Sequence, residues 1–121
     1  METTKTTTPE SFFIVTKAPT RVNKHDMATL VWVNHKNKTM KYPTIERAVG
    51  EIAEEIGTLC EESSGLTVET PNGESEYVET RVDAITKIMT ELKKNPTPKF
   101  WVALTYSDDS SAIYTVNQIT L

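Results

Sequence analysis

At 121 residues, with 37% hydrophobic and 25% charged side chains, the chain has the size and composition of one globular domain able to bury its own core. No apolar run approaches the roughly 20 residues that cross a bilayer, and a formal charge of −4 disfavours general nucleic-acid binding. A single cysteine excludes an internal disulfide and the first ten residues carry no apolar leader segment, which together point to a reducing cytoplasm.

Residues 1–10 are Thr-rich with nothing large and apolar after Met1, the composition of a disordered tail ahead of a single domain over 11–121. The β-branched and aromatic run at 11–16 predicts a strand, 20–27 a polar loop, and 28–34 a second strand. Residues 35–38 form a turn without glycine, so Asn37 is best suited to the left-handed conformation there. Residues 39–42 then return as the second arm of a hairpin.

Thr44 changes the period. Its hydroxyl suits an N-cap, and Ile45, Ala48, Val49, Ile52, Ala53, Ile56, Leu59 and Cys60 follow at three-and-four spacing, the clearest amphipathic helix in the chain. Gly50 and Gly57 fall off that stripe and weaken the helix by roughly 1 kcal/mol each. The pattern ends by Ser63-Ser64-Gly65.

Residues 66–70 predict a short strand and Pro71-Asn72-Gly73 a turn. Residues 74–79 read either as a returning hairpin arm or as the start of a helix over 75–94. The helix is favoured, because Val78, Val82, Ile85, Met89 and Leu92 share one face, with Glu74, Glu76 and Glu79 at its positive end and Lys93 and Lys94 at its negative end. Residues 100–106 form a strand apolar on both faces, 107–111 a loop and 112–120 the closing strand. The expected fold class is α+β: an antiparallel β-sheet of about five to six strands with two α-helices packed on one face, in the order β-β-β-α-β-α-β-β.

The charge is uneven. Residues 44–83 hold eleven acids against Arg47 and Arg81, a formal −9, which leaves +5 for the rest. Glu51, Glu54, Glu55 and Glu61 lie past the first turn of the first helix, off its apolar stripe. They are the candidate partner-binding face, suited to another protein with a basic surface. A second candidate, for a nucleotide-like ligand or an interface, combines Trp32, His35, Lys36 and Lys38 on the basic hairpin with Trp101. Trp32 with Trp101, and Phe12 with Phe13, cannot all face the helices. One of each pair is expected on the uncovered sheet face, a candidate homodimer or partner interface.

Catalytic and metal signatures are missing. The ligand-type residues His25, His35 and Cys60 have no zinc-site spacing, so no metal site and no cofactor is expected. Cys60 sits on the apolar stripe, where a thiol is packing. No phosphate-binding glycine loop or nucleophile elbow occurs among four glycines. The expectation is a small non-enzymatic interaction module, an inhibitor or adaptor by analogy with those of phages and mobile elements. The alternative is an oligomeric small-ligand binder.

Overall fold

The computed structural model describes residues 11–21, 30–33, 36–71, 73–94 and 99–120. Eight elements follow in chain order: β1 (Ser11–Arg21), β2 (Leu30–Val31), α1 (Ile45–Glu62), β3 (Leu66–Glu69), β4 (Glu76–Val78), α2 (Arg81–Lys94), β5 (Phe100–Thr105) and β6 (Ser111–Thr120). The strands form one sheet in the order β2-β1-β6-β5-β3-β4, with every neighbouring pair antiparallel. The fold is α+β, as the grouping of strands in hairpins implies. The first and last strands pair along almost their whole length at the centre of the sheet, with a bulge between Pro19 and Arg21.

One face of the sheet carries the core. Val15, Val116, Tyr114, Phe100, Val102, Leu104, Leu66, Val68 and Val78 are buried at alternate strand positions, as a sheet covered on one side requires. They meet Ala48, Val49, Ile52, Ala53, Ile56 and Cys60 of α1 and Ala84, Ile88 and Leu92 of α2. Removing the aliphatic members from water stabilises the fold by about 1.5–3 kcal/mol each, before the entropy of ordering them. Thr44 caps α1 as its position suggests, its hydroxyl accepting from the Arg47 amide at 3.2 Å. Asn37 takes the left-handed conformation (φ 63°), as expected of that turn. After α1, Gly65 adopts φ 117° beneath the Tyr77 ring, and the Tyr77 hydroxyl donates to the Ser64 carbonyl at 2.7 Å. A side chain at Gly65 would be strained by its backbone and would strike that ring.

Three expectations need correction. Residues 39–42 do not form a third strand. They leave the hairpin after one bridge between Val33 and Thr39, because Tyr42 turns to β1 and exchanges two 2.8 Å backbone hydrogen bonds with Phe13. The region 74–79 is a hairpin arm, not a helix start: β4 pairs with β3, setting Val78 opposite Leu66 and Tyr77 opposite Thr67. The order is therefore β-β-α-β-β-α-β-β. The third correction is the phase of α2. It begins at Arg81, behind Thr80, whose hydroxyl accepts from the Asp83 amide at 3.1 Å. Ala84, Ile88, Glu91 and Leu92 are its buried residues, while Val82 is 67% exposed. The apolar spacing continued through Val78 because that valine is buried in either conformation. Strand and helix patterns coincided there.

Candidate functional site

A groove runs between α1 and the segment that follows β2. Its volume is about 630 Å³. One wall is apolar and aromatic: Val31, Trp32, Val33, Met40 and Tyr42. The other is the helix, with Glu51, Glu54, Glu55 and Thr58. The helical repeat explains the second wall. Residues three, four and seven apart share one side of a helix, so 51, 54, 55 and 58 form one stripe. The first wall exists because the irregular pairing of residues 30–33 and 39–42 keeps Trp32 on the covered side of the sheet edge, where the Trp32 amide donates to the Val15 carbonyl at 3.0 Å.

The floor is a network around Tyr114. This residue is fully buried on β6, and its hydroxyl donates to Glu55 Oε2 at 2.7 Å. Trp32 meets it edge to face, with ring centroids 5.8 Å apart at 74°. Lys17 of β1 holds its ammonium 5.1 Å from the Tyr114 ring centroid and 3.6 Å from Glu55 Oε2. Burial, then the hydrogen bond to Glu55, raises the Tyr114 phenol far above its ordinary value. Tyr42 is also pushed up, first by burial and then by the Glu51 carboxylate. Both phenols therefore stay protonated at neutral pH and add no negative charge.

The three carboxylates of the groove differ. Glu55 is half-buried and tied to Tyr114 and Lys17. Glu54 pairs with the Arg81 guanidinium, both side chains being about half exposed. Glu51 is exposed and makes no hydrogen bond or ion pair among the described residues. Among the described residues it is the groove carboxylate without an ion pair beside the aromatic wall. Glu61, expected with these three, lies elsewhere. Its Oε2 accepts from the Arg81 amide at 3.1 Å, so it meets a free donor at the positive end of α2.

The second candidate set does not assemble. Trp32 lines the groove, whereas Trp101 lies half-buried on the sheet face away from the helices. Lys36 and Lys38 are exposed in the turn and do not line the groove. His35 and His25 lie outside the described residues. Phe13 packs on the core side and Phe12 on the other, so each aromatic pair divides between faces. Met40, Tyr42 and Thr58 line the groove, and Tyr114 supports Trp32 and Glu55 from beneath, but none of the four was a candidate. Tyr114 carried one signal: a tyrosine at a buried position of an alternating strand needs a partner for its hydroxyl.

Among the described residues no group of three His, Cys, Asp or Glu side chains converges to hold a metal ion, and no helix is long and apolar enough to cross a membrane. No protein-family model, curated protein or solved structure matches the chain.

Proposed function

We propose that the protein is an interaction module whose groove takes an arginine- or lysine-bearing segment of another protein. The observation that carries this reading is the placement of the Glu51 carboxylate, with Glu54 and Glu55, across one groove from Trp32, Met40 and Tyr42. A basic side chain matches both walls. Its charged head meets carboxylates, and its flat or aliphatic stem lies on aromatic and thioether surface. Glu54 does not stand in the way. An exposed ion pair such as that with Arg81 is worth only about 0–1 kcal/mol, so an incoming guanidinium can exchange for Arg81 at little cost.

The same groove is unsuited to a phosphate-bearing ligand, because Glu51 repels it and the nearby cations Lys17 and Arg81 are already engaged by Glu55 and Glu54. A nucleotide-like ligand would need Trp32, Lys36 and Trp101 on one surface, and they are on different ones. A module of this kind works by occupancy: it blocks a basic surface, as an inhibitor, or bridges it to something else, as an adaptor. Association would be steered by charge and would weaken with salt.

The test is titration with an arginine-rich peptide, followed by the fluorescence of Trp32 in a Trp101→Phe background. Saturable binding that weakens with salt and is lost in Glu51→Lys supports the reading. Binding that ignores charge reversal at Glu51, or a Trp32 signal unmoved by any basic peptide, would remove the groove from the function.

A further inference from the structure

The groove has a direction and a length. Along β1, Phe13 pairs with Tyr42, Val15 accepts from the Trp32 amide, Thr16 pairs with Val31, and Lys17 approaches Glu55. At the Phe13 end, Glu51 stands by Tyr42, whose phenol is raised first by burial and then by that carboxylate. The aromatic wall therefore follows β1 and the acidic wall follows α1, both running from Tyr42 and Glu51 toward Lys17 and Glu55. The helical wall ends at Thr58, seven residues beyond Glu51, a rise of about 10.5 Å. An extended chain covers that length with three residues at about 3.4 Å each.

The two walls suit different side chains. In an extended segment, successive side chains point to opposite sides, and alternate ones share a side about 6.8 Å apart. On α1, Glu51 and Glu55 are four residues apart, a rise of about 6 Å, with Glu54 next to Glu55. The two spacings agree to within about 1 Å. Past these acids the wall carries no charge, because Thr58 follows, its hydroxyl donating to the Glu54 carbonyl at 3.2 Å. The acidic wall thus offers two places for a cation and no third. The residue between two such cations faces the other wall, where Trp32 and Met40 are apolar.

Resting on the reading of the groove as a site for basic segments, we propose that it recognises an extended basic–apolar–basic tripeptide. One cation meets Glu51, the other meets Glu54 and Glu55, and the apolar side chain between them lies on Trp32 and Met40. Other spacings fit less well. Adjacent basic residues, or basic residues with two between them, send their side chains to opposite walls, so only one reaches the carboxylates. With three between them they share a side again, but about 13.6 Å apart, beyond the end of the acidic wall.

Calorimetric titration of the full chain with four end-blocked peptides tests it. Each carries two arginines and one leucine in a glycine–serine frame, and they differ in placing zero, one, two or three residues between the arginines. At low ionic strength the peptide with leucine alone between its arginines should bind about three- to fivefold more tightly than the others. Glu51→Gln should bring it down to their level, whereas Glu62→Gln, exposed at the end of the same helix, should leave the preference intact. In the Glu51→Gln protein, replacing one of the two arginines by glutamine should have no effect, and replacing the other should still weaken binding. Leucine to serine between the arginines should weaken binding several-fold, and no loss there refutes the placement on the aromatic wall. Equal, salt-sensitive affinity at all four spacings overturns the tripeptide and leaves the groove a site for basic segments in general. Binding by none of the peptides overturns both. A preference that survives Glu51→Gln puts the peptide outside the groove and overturns the proposal as well.

Discussion

Two glycines in α1 should respond to alanine with opposite signs. Gly50 has nothing within 4 Å of the position a Cβ would take. Gly50→Ala therefore gains helix propensity without a contact to disturb, a stabilisation of about 0.5–1 kcal/mol. Gly57 is buried where the start of α2 crosses α1. A Cβ there would sit 2.8 Å from Arg81 Cγ, 3.1 Å from its Cα and 3.2 Å from its carbonyl oxygen. The side-chain contact can be relieved by rotating Arg81, at the expense of its pairing with Glu54. The two backbone contacts can be relieved only by moving the helices apart. Overpacking of this kind costs about 1–3 kcal/mol, which exceeds the propensity gain of up to about 1 kcal/mol. Gly57→Ala should then be destabilised by about 0–2 kcal/mol, while Gly50→Ala moves the other way. Urea denaturation followed by circular dichroism measures both, and an unchanged m-value shows that the comparison concerns stability alone. If Gly57→Ala gained as much as Gly50→Ala, the close approach of α2 to α1 would be wrong.

Tyr114→Phe removes one hydroxyl from a fully buried position and leaves Glu55 without its donor. It should cost about 1.5–3 kcal/mol in urea denaturation, nearer the lower figure because Lys17 still faces Glu55. Lys87 is nearly buried between α2 and β4, where its ammonium donates to the Glu74 carbonyl at 3.0 Å and to Glu76 Oε1 at 2.9 Å. That hydrogen bond, and then the charge of Lys87, holds the Glu76 carboxyl below its usual range. Glu76 therefore contributes stability that is present above its unfolded-state pKa and is lost as pH falls through the lower folded value. Lys87→Met should lower the melting temperature at neutral pH, and the gap from the parent should narrow on acidification; a gap constant with pH would dismiss the Glu76 link. Glu61→Ala should cost about 0.3–1 kcal/mol by exposing the free Arg81 amide at the start of α2, and Glu61→Gln less, because an acceptor oxygen remains.

Where one physical signal dominated, the sequence was enough. The α1 stripe, its Thr44 cap, the left-handed Asn37 and the two-sided β5 each follow from a periodicity or a local hydrogen bond that nothing distant opposes. Around Val78 two periods coincided, and only the pairing of β4 with β3, a long-range event, decided between them. Residues 39–42 were misread for the same reason. Tyr42 pairs with Phe13, far away in sequence, and no local pattern announces that choice. The groove was legible by halves. Its acid stripe could be read from helical spacing, but the wall opposite depends on how residues 30–33 and 39–42 meet the sheet edge. Glu61 was grouped with the groove acids because helical spacing says which side of a helix a residue is on, not what is packed there.

Arg81 connects these parts. Its amide is held by Glu61, its guanidinium by Glu54, and its backbone lies against Gly57. Only the guanidinium contact concerns the groove. Removing the side chain beyond Cβ leaves the Glu61 hydrogen bond and the Gly57 contact to its backbone in place, and loses an exposed ion pair worth about 0–1 kcal/mol. Arg81→Ala should therefore scarcely change stability. It does free the Glu54 carboxylate, so two groove acids rather than one lack a partner. A basic segment no longer competes with an internal guanidinium, so its affinity should rise several-fold and its dependence on salt should steepen. Calorimetric titration of the same arginine-rich peptide into both proteins at two ionic strengths separates the outcomes. Tighter, more salt-sensitive binding places Glu54 in the site. Unchanged binding with unchanged stability would leave Glu51 and Glu55 as its acids and make the Arg81 pair incidental.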